Sequence, residues 1–422
     1  MLLRALRQVR APALATAAYV LHERHFSGAQ CESAAAPTQR LFSWGLMRPS
    51  ETEKFTYCKE LPSDVSFWAS KGLRVVTMSY GAHHAAALDD RGGLWAWGGT
   101  AGPTPRQLPC RARITGLAST DASLYAVTKQ GKVLEWRDLG AALSAEKPLP
   151  AEPATLGGAL AKVAATSIAA GAAHVLVVGR KGELVGFGDN KRGQLGLGPP
   201  EEAPQFEAPT ILPAVGGPVT AAACGGEHSV ALLADGRCVS FGDDRHLQLG
   251  VRNSSIKSLR RGESTVHAPR PVSQLEGRLV TAVAAGGRGL DGGHTAFTVS
   301  GAEGDELWMC GHGRWGQLGL KAFTHVSEPA VVKKLGELRE YDEGLKRVST
   351  IKIAQVACGE RHTVAVLATG NVFVWGWNDK GQLGTTSKQG THTPTMLREP
   401  TELRFSQLRH VACGPYSTTA WT

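Results

Sequence analysis

Five histidines recur at matching positions in this 422-residue chain: His84, His174, His228, His294 and His362. Imidazoles repeated in this way would be zinc ligands if they converged, and Cys224, Cys358 and Cys413, which share one position of the same pattern, would add thiolates. Gly287-Arg288-Gly289-Leu290-Asp291-Gly292 has the Gly-x-Gly-x-x-Gly spacing of a dinucleotide loop, in which a following helix N-terminus holds phosphate. Lys257, Arg260 and Arg261 form one basic cluster, Lys333, Lys334, Lys346 and Arg347 another, and Asp243-Asp244 is a carboxylate pair. The chain has no Gly-x-Ser-x-Gly elbow, no His-Glu-x-x-His and no Gly-x-x-x-x-Gly-Lys-Ser/Thr loop. Nothing assembles a nucleophile, a base and an orienter, so no catalytic residue, cofactor or metal is expected.

The elements that must position these residues come from a repeat. Ala223-Cys224-Gly225-Gly226-Glu227-His228-Ser229-Val230-Ala231-Leu232 aligns with Ala357-Cys358-Gly359-Glu360-Arg361-His362-Thr363-Val364-Ala365-Val366. Five further copies follow, through Gly81 to His84, Gly171 to His174, Gly286 to His294 across an insertion, Gly414 to Ser417, and a degenerate one at Thr120 to Ser123. Fifty-one glycines and ten tryptophans suit many short strands joined by turns. After each copy a glycine opens a second strand, most clearly Gly370-Asn371-Val372-Phe373-Val374-Trp375-Gly376. Intervals of 39, 51, 54, 61, 73 and 55 residues between copies are the length of a four-stranded propeller blade.

The seventh copy reaches Trp421-Thr422 without its second strand, whereas Gln39-Arg40-Leu41-Phe42-Ser43-Trp44-Gly45 is a second strand without its first. The pattern predicts an all-β, seven-bladed β-propeller of four-stranded antiparallel blades. Leu41, Phe42, Trp44 and Trp421 close the ring by sharing one blade, which leaves no free sheet edge. Trp97, Phe187, Phe241, Cys310 and Trp375, each just before the glycine that ends its strand, and Trp136, which precedes Arg137, are expected to fill the space between blades. Ala-Cys-Gly-x-x-His, then Gly-x-Val-x-x-Trp-Gly, then Gly-Gln-Leu-Gly at 193–196, 316–319 and 381–384 resembles the regulator-of-chromosome-condensation repeat over residues 39–422. The second blade departs from it, lacking the Gly, the His and the Gln-Leu-Gly element.

That architecture decides the chemistry. Equivalent positions in adjacent blades lie roughly 10 Å apart, the spacing of packed sheets, too far for the histidines to share a zinc ion or the cysteines a disulfide. The histidines are expected to hydrogen-bond loop backbone inside their own blades, and the cysteines to act as small buried residues. The dinucleotide reading fails because a strand near His294, not a helix, follows the glycines. If the inserted loop of blade five touches a partner, Arg288 and Asp291 are its exposed charges. Lys257, Arg260 and Arg261, read as lying between blades four and five, are solvated by default and are the remaining partner contacts expected.

The net charge is +9, of which residues 1–40 contribute +3. No acidic residue occurs from Met1 to His22, and Arg4, Arg7 and Arg10 recur among Leu2, Leu3, Leu6 and Val9. The apolar run from Ala11 to Leu21 is about half the length needed to span a bilayer, so no transmembrane segment is expected. Acid-poor, Arg-rich starts mark organelle transit peptides, and Arg24-His25-Phe26-Ser27 resembles a mitochondrial processing site. Residues 1–38 are therefore expected to be a mitochondrial address ahead of a propeller spanning 39–422, placed in the matrix. The resemblance implies a non-catalytic scaffold whose faces hold proteins, an assembly factor for respiratory complexes or for the organelle's gene-expression machinery. Two alternatives stay open: guanine-nucleotide exchange on a GTPase, and RNA or mitoribosome binding.

Overall fold

The computed structural model describes residues 39–46, 63–64, 66–99, 102, 104–143, 149, 152–199, 204–212, 215–251, 264–288, 292–301, 304–342, 346–385, 396–403 and 408–422. Among these, seven four-stranded sheets follow one another round a ring, as the repeat predicts. Blade 1 runs through Val75–Tyr80, His84–Asp89, Leu94–Gly98 and Arg106–Gln107, and blade 2 through Ile114–Ser119, Leu124–Thr128, Val133–Trp136 and Ala154–Thr155. Blade 3 comprises Ala165–Ala170, His174–Gly179, Leu184–Asp189 and Gln205–Ile211; blade 4, Val219–Cys224, His228–Leu233, Cys238–Asp243 and Thr265–Pro271. Blade 5 comprises Leu279–Gly287, Gly293–Gly301, Gly304–Gly311 and Val326–Val331; blade 6, Ile353–Cys358, His362–Leu367, Val372–Trp377 and Met396–Leu403.

Blade 7 is built from both parts of the chain: His410–Cys413, Tyr416–Trp421, Leu41–Leu46 and Ser63–Asp64. Six residue pairs, from Leu41 opposite Trp421 to Leu46 opposite Tyr416, join the early strand to the late one. The Gln39 side chain then stitches this blade to blade 1: its Nε2 donates to the carbonyls of Val75 and Thr422, and its Oε1 accepts from the Val75 N–H.

Each hydrophobic cluster spans two neighbouring blades, so the core is a set of wedges between sheets rather than one central mass. Trp375 of blade 6 is fully buried among Leu307, Met309 and Leu318 of blade 5. Phe241 packs on blade 3, Phe187 on blade 2, Trp136 on blade 1, Cys310 on blade 4 and Trp44 on blade 6. At the seam Trp97 meets Leu41 and Trp421, joined by Trp68 from the short helix Ser66–Ser70. The ring centroids of Trp68 and Trp97 lie 6.3 Å apart, edge to face.

One expectation about connections is corrected, and one connection holds an element the repeat does not foretell. The segment carrying Lys257, Arg260 and Arg261 joins the third and fourth strands of blade 4, not blade 4 to blade 5, because the outer strand Thr265–Pro271 follows it and pairs with Cys238–Asp243. The long interval before blade 6 holds an additional hairpin, Arg339–Asp342 with Arg347–Thr350, preceded by the helical turn Lys333–Gly336. Among the described residues no helix is long and apolar enough to cross a membrane.

Candidate functional site

The face that carries the candidate residues is the one where each first strand turns into the second. These turns sit side by side and their peptides bond in sequence around the axis. Ala82 N–H donates to the Asp121 carbonyl, Asp121 to Ala172, Ala172 to Gly226, Gly226 to Gly287, and Gly287 to Gly359; Glu360 then donates to Pro415. The collar stops there, since Pro415 has no N–H to pass on to blade 1. At that gap the Tyr80 hydroxyl of blade 1 instead bonds Thr419 of blade 7. Inside the collar the axial channel holds a cavity of about 180 Å³, lined by small residues such as Ala170, Cys224, Ala285, Cys358 and Cys413.

Below the collar the repeated histidines form a second belt. His174 Nε2 lies 2.9 Å from Ser229 Oγ of the next blade, His228 Nε2 3.0 Å from Thr295 Oγ1, His294 Nε2 3.0 Å from Thr363 Oγ1, and His362 Nε2 2.9 Å from Thr418 Oγ1. Each hydroxyl spends its own hydrogen on a carbonyl, of Gln194, Gln248, Gln317 and Gln382 respectively. The imidazole must therefore be the donor, which fixes the Nε2–H tautomer. The expected partner was loop backbone of the same blade; the structure replaces it with a hydroxyl of the neighbouring one. Burial pushes these four histidines down to about 3, so they stay neutral.

The same geometry explains the glycine of the motif. A Cβ on Gly359 would lie 2.1 Å from His362 Cε1, and one on Gly225 equally close to His228. Blade 2 breaks the belt: where blades 4 to 7 present a hydroxyl it presents Leu124, and both buried ring nitrogens of His84 are left without a hydrogen bond. His84 is likewise held at about 3, first by burial and then by the charges of His83 and Arg288.

Burial pushes the thiols of Cys224 and Cys413 up to about 12 and raises those of Cys310 and Cys358 well above the ordinary thiol value. Thiols held protonated are poor nucleophiles and poor metal ligands. Both cysteines and repeat histidines thus serve the scaffold.

Arg288 is placed differently from expectation. It is half-buried, not an exposed loop charge: its guanidinium reaches from blade 5 to the carboxylate of Asp121 in the turn of blade 2. The degenerate blade supplies the acid that Arg288 pairs with, so the pair bridges the mouth of the channel. After Gly292 the chain enters the strand Gly293–Gly301, as the sequence predicts, and no helix follows the glycines. Asp291, Lys257, Arg260 and Arg261 lie outside the described residues.

Residues that the sequence reading passed over lie beside this mouth. Arg361 sits over both Trp315 and Trp377, 5.0 and 4.9 Å from their ring centroids, and all three are half-buried. Arg245 pairs with Asp243 and with Glu227. Their signal was variation: Arg361 and Trp315 occupy repeat positions whose other copies carry unrelated residue types.

Models of the regulator of chromosome condensation (RCC1) repeat match residues 165–194, 219–248 and 353–382 in one form, and 181–232, 305–366 and 369–421 in another. The ultraviolet-B receptor UVR8 of Arabidopsis thaliana is 27% identical over 360 residues, covering 80% of this chain and 73% of the receptor. The human E3 ubiquitin-protein ligase HERC2 is 28% identical over 420 residues, covering 93% of this chain but 8% of the ligase. The crystal structure of Prp20p from Saccharomyces cerevisiae covers 91% of each chain with a TM-score of 0.69 at 19% identity, a likeness of fold.

Proposed function

Because the chain belongs to the regulator of chromosome condensation (RCC1) repeat family, we propose that it is a non-catalytic binding platform for proteins, delivered to the mitochondrial matrix, where it assists assembly of respiratory complexes or of the gene-expression machinery. One observation carries the binding reading. On a collar of inter-blade hydrogen bonds, one face of the disc gathers polar and aromatic groups that the repeat itself does not need: Arg288 with Asp121 at the channel mouth, and Arg361 over the adjoining Trp315 and Trp377. Rigid scaffolds that hold variable residues at one face are how loops carry recognition, and tryptophan and arginine are the residue types that dominate binding energy.

The address rests on the Arg-rich, acid-poor opening of the sequence. Fusing residues 1–40 to a fluorescent protein tests it, and a cytosolic fusion removes the mitochondrial part. For the platform, cross-linking mass spectrometry in intact mitochondria compares the natural chain with Arg288→Glu and with Arg361→Glu. Cross-links to a defined complex should disappear in the variants at temperatures where melting curves show them still folded; unchanged cross-links sink the assignment to this face.

A second reading, guanine-nucleotide exchange, draws on the likeness to yeast Prp20, whose binding properties extend to Gsp1p and histones. Exchange works by wedging open a nucleotide site, so it also needs only a binding face. Release of labelled GDP from mitochondrial GTPases, faster with the protein than without it, would favour exchange over scaffolding.

A further inference from the structure

Three histidines that take no part in the repeat belt meet on the same face, at the junction of blades 4 and 5. His246 lies in the turn after the third strand of blade 4, His312 directly follows the third strand of blade 5, and His325 precedes its outer strand Val326–Val331. One nitrogen from each falls within 4.8 Å of the other two. The ring centroids of His312 and His325 are 4.6 Å apart, those of His246 and His312 5.0 Å. His312 is buried, His246 half-buried and His325 exposed, so the cluster has a closed floor and an open side.

The surrounding repeats show that the fold does not require imidazoles here. Five residues before the glutamine of each Gln-Leu-Gly turn, blades 3 and 4 have Asp189 and Asp243, each accepting a hydrogen bond from that glutamine's Nε2. Blade 5 has His312 instead, whose Nδ1 lies 2.9 Å from Gln317 Nε2. That contact uses Nδ1 and leaves Nε2 for the cluster. His246 likewise stands where blade 3 has Arg192 and blade 6 has Lys380. Gly292 itself lies against the His312 ring, since a Cβ there would come within 2.6 Å of it.

We propose that His246, His312 and His325 form a binding site for a divalent transition metal of zinc type, with a fourth position open to water. Imidazole nitrogens suit zinc and its neighbours and not calcium or magnesium. Bonds of about 2.0–2.1 Å in a tetrahedron put ligand nitrogens roughly 3.3 Å apart, so the three must draw in by up to roughly 1.5 Å. The exposed His325 supplies most of that movement. The bound ion ties blade 4 to blade 5 outside the collar. Arg314, exposed on the same turn, opposes the cation, but solvent screens it.

Metal on His312 Nε2 moves that ring's proton to Nδ1, where it meets an amide N–H of Gln317. The amide must then turn its oxygen towards His312 and give up the Trp315 N–H that Oε1 accepts at 3.0 Å. A carboxylate at this position would accept from both.

The test is a titration of the metal-free, tag-free full chain with zinc chloride against a chromophoric chelator. One tight equivalent is expected in the natural chain. It should weaken roughly tenfold or more in the His246→Ala, His325→Ala double variant, whose substitutions avoid the buried His312 and leave folding intact. Gln317→Glu should tighten binding, and cobalt(II) in place of zinc should give the intense visible bands of four-coordination. No tight equivalent in the natural chain, or the same affinity in the double variant, overturns the site. Gln317→Glu that fails to tighten binding overturns His312 as a ligand.

Discussion

Thr363 is bonded on both sides, accepting from His294 of blade 5 and donating to the Gln317 carbonyl. Thr363→Val keeps the shape and removes both bonds, leaving the buried His294 Nε2–H unpaired, while the Gln317 carbonyl keeps the Trp375 indole N–H as its donor. A loss of about 1–3 kcal/mol is expected, read as a lower midpoint in chemical denaturation; an unchanged midpoint would mean that the belt is ornamental. The belt also makes stability depend on pH. Folded, His84, His174, His228, His294 and His362 titrate near 3; unfolded, near 6.5. Their contribution is complete above pH 6.5 and declines as pH falls towards 3, because the unfolded chain binds the extra protons. Near pH 5, unfolding should take up close to five protons from this set, with stability falling by about 1.4 kcal/mol per pH unit for each. A melting temperature that is flat between pH 7 and pH 5 contradicts this. The sequence betrayed that these histidines are structural, but not their partners. The hydroxyl immediately follows the next blade's histidine, as in Ser229, Thr295 and Thr363, so the clue was present, yet no local rule links residues more than fifty positions apart.

Blades were legible as elements where strands are long and alternate with glycine turns, and illegible at their outer edges. Arg106–Gln107 and Ala154–Thr155 are two-residue strands with no hydrophobic pattern, since the outer strand faces water and packs on little. The same weakness hid the outer strand of blade 4 and so misplaced the basic segment before it. The closing strand was legible because Phe42 and Trp44 repeat the pattern of Phe373 and Trp375. Deleting residues 39–45 removes that strand and the Gln39 stitch; deleting 1–30 removes neither. The first truncation should melt well below the second, and equal melting temperatures would count against closure. At the junction of blades 5 and 6 Trp375→Ala should cost about 3–5 kcal/mol, since a fully buried indole leaves a cavity between two sheets.

Across the whole ring, Arg288 and Asp121 join blades that are far apart in the circle. The pair could not be read from the sequence, because the degenerate turn of blade 2 looks merely eroded until the turns are arranged around an axis. Arg288→Ala and Asp121→Ala should each lower stability modestly, and the double variant should lose less than the two losses together, with a coupling of about 0.5–3 kcal/mol in a double-mutant cycle. Additive losses would show that the bridge contributes nothing to the mouth.

The pairing of Leu41 with Trp421 has a mechanical consequence. The two strands run antiparallel, and Leu41 at the start of one faces Trp421 at the end of the other, so tension between residue 39 and residue 422 loads the ladder from that side one rung at a time. Such a joint peels under small force, whereas strands pulled along their length in opposite directions must break all rungs together. A motor that grips the last residues would therefore open blade 7 first and meet the remaining six blades with their wedges intact, an order that single-molecule pulling from the two sites would record as an early, low-force step.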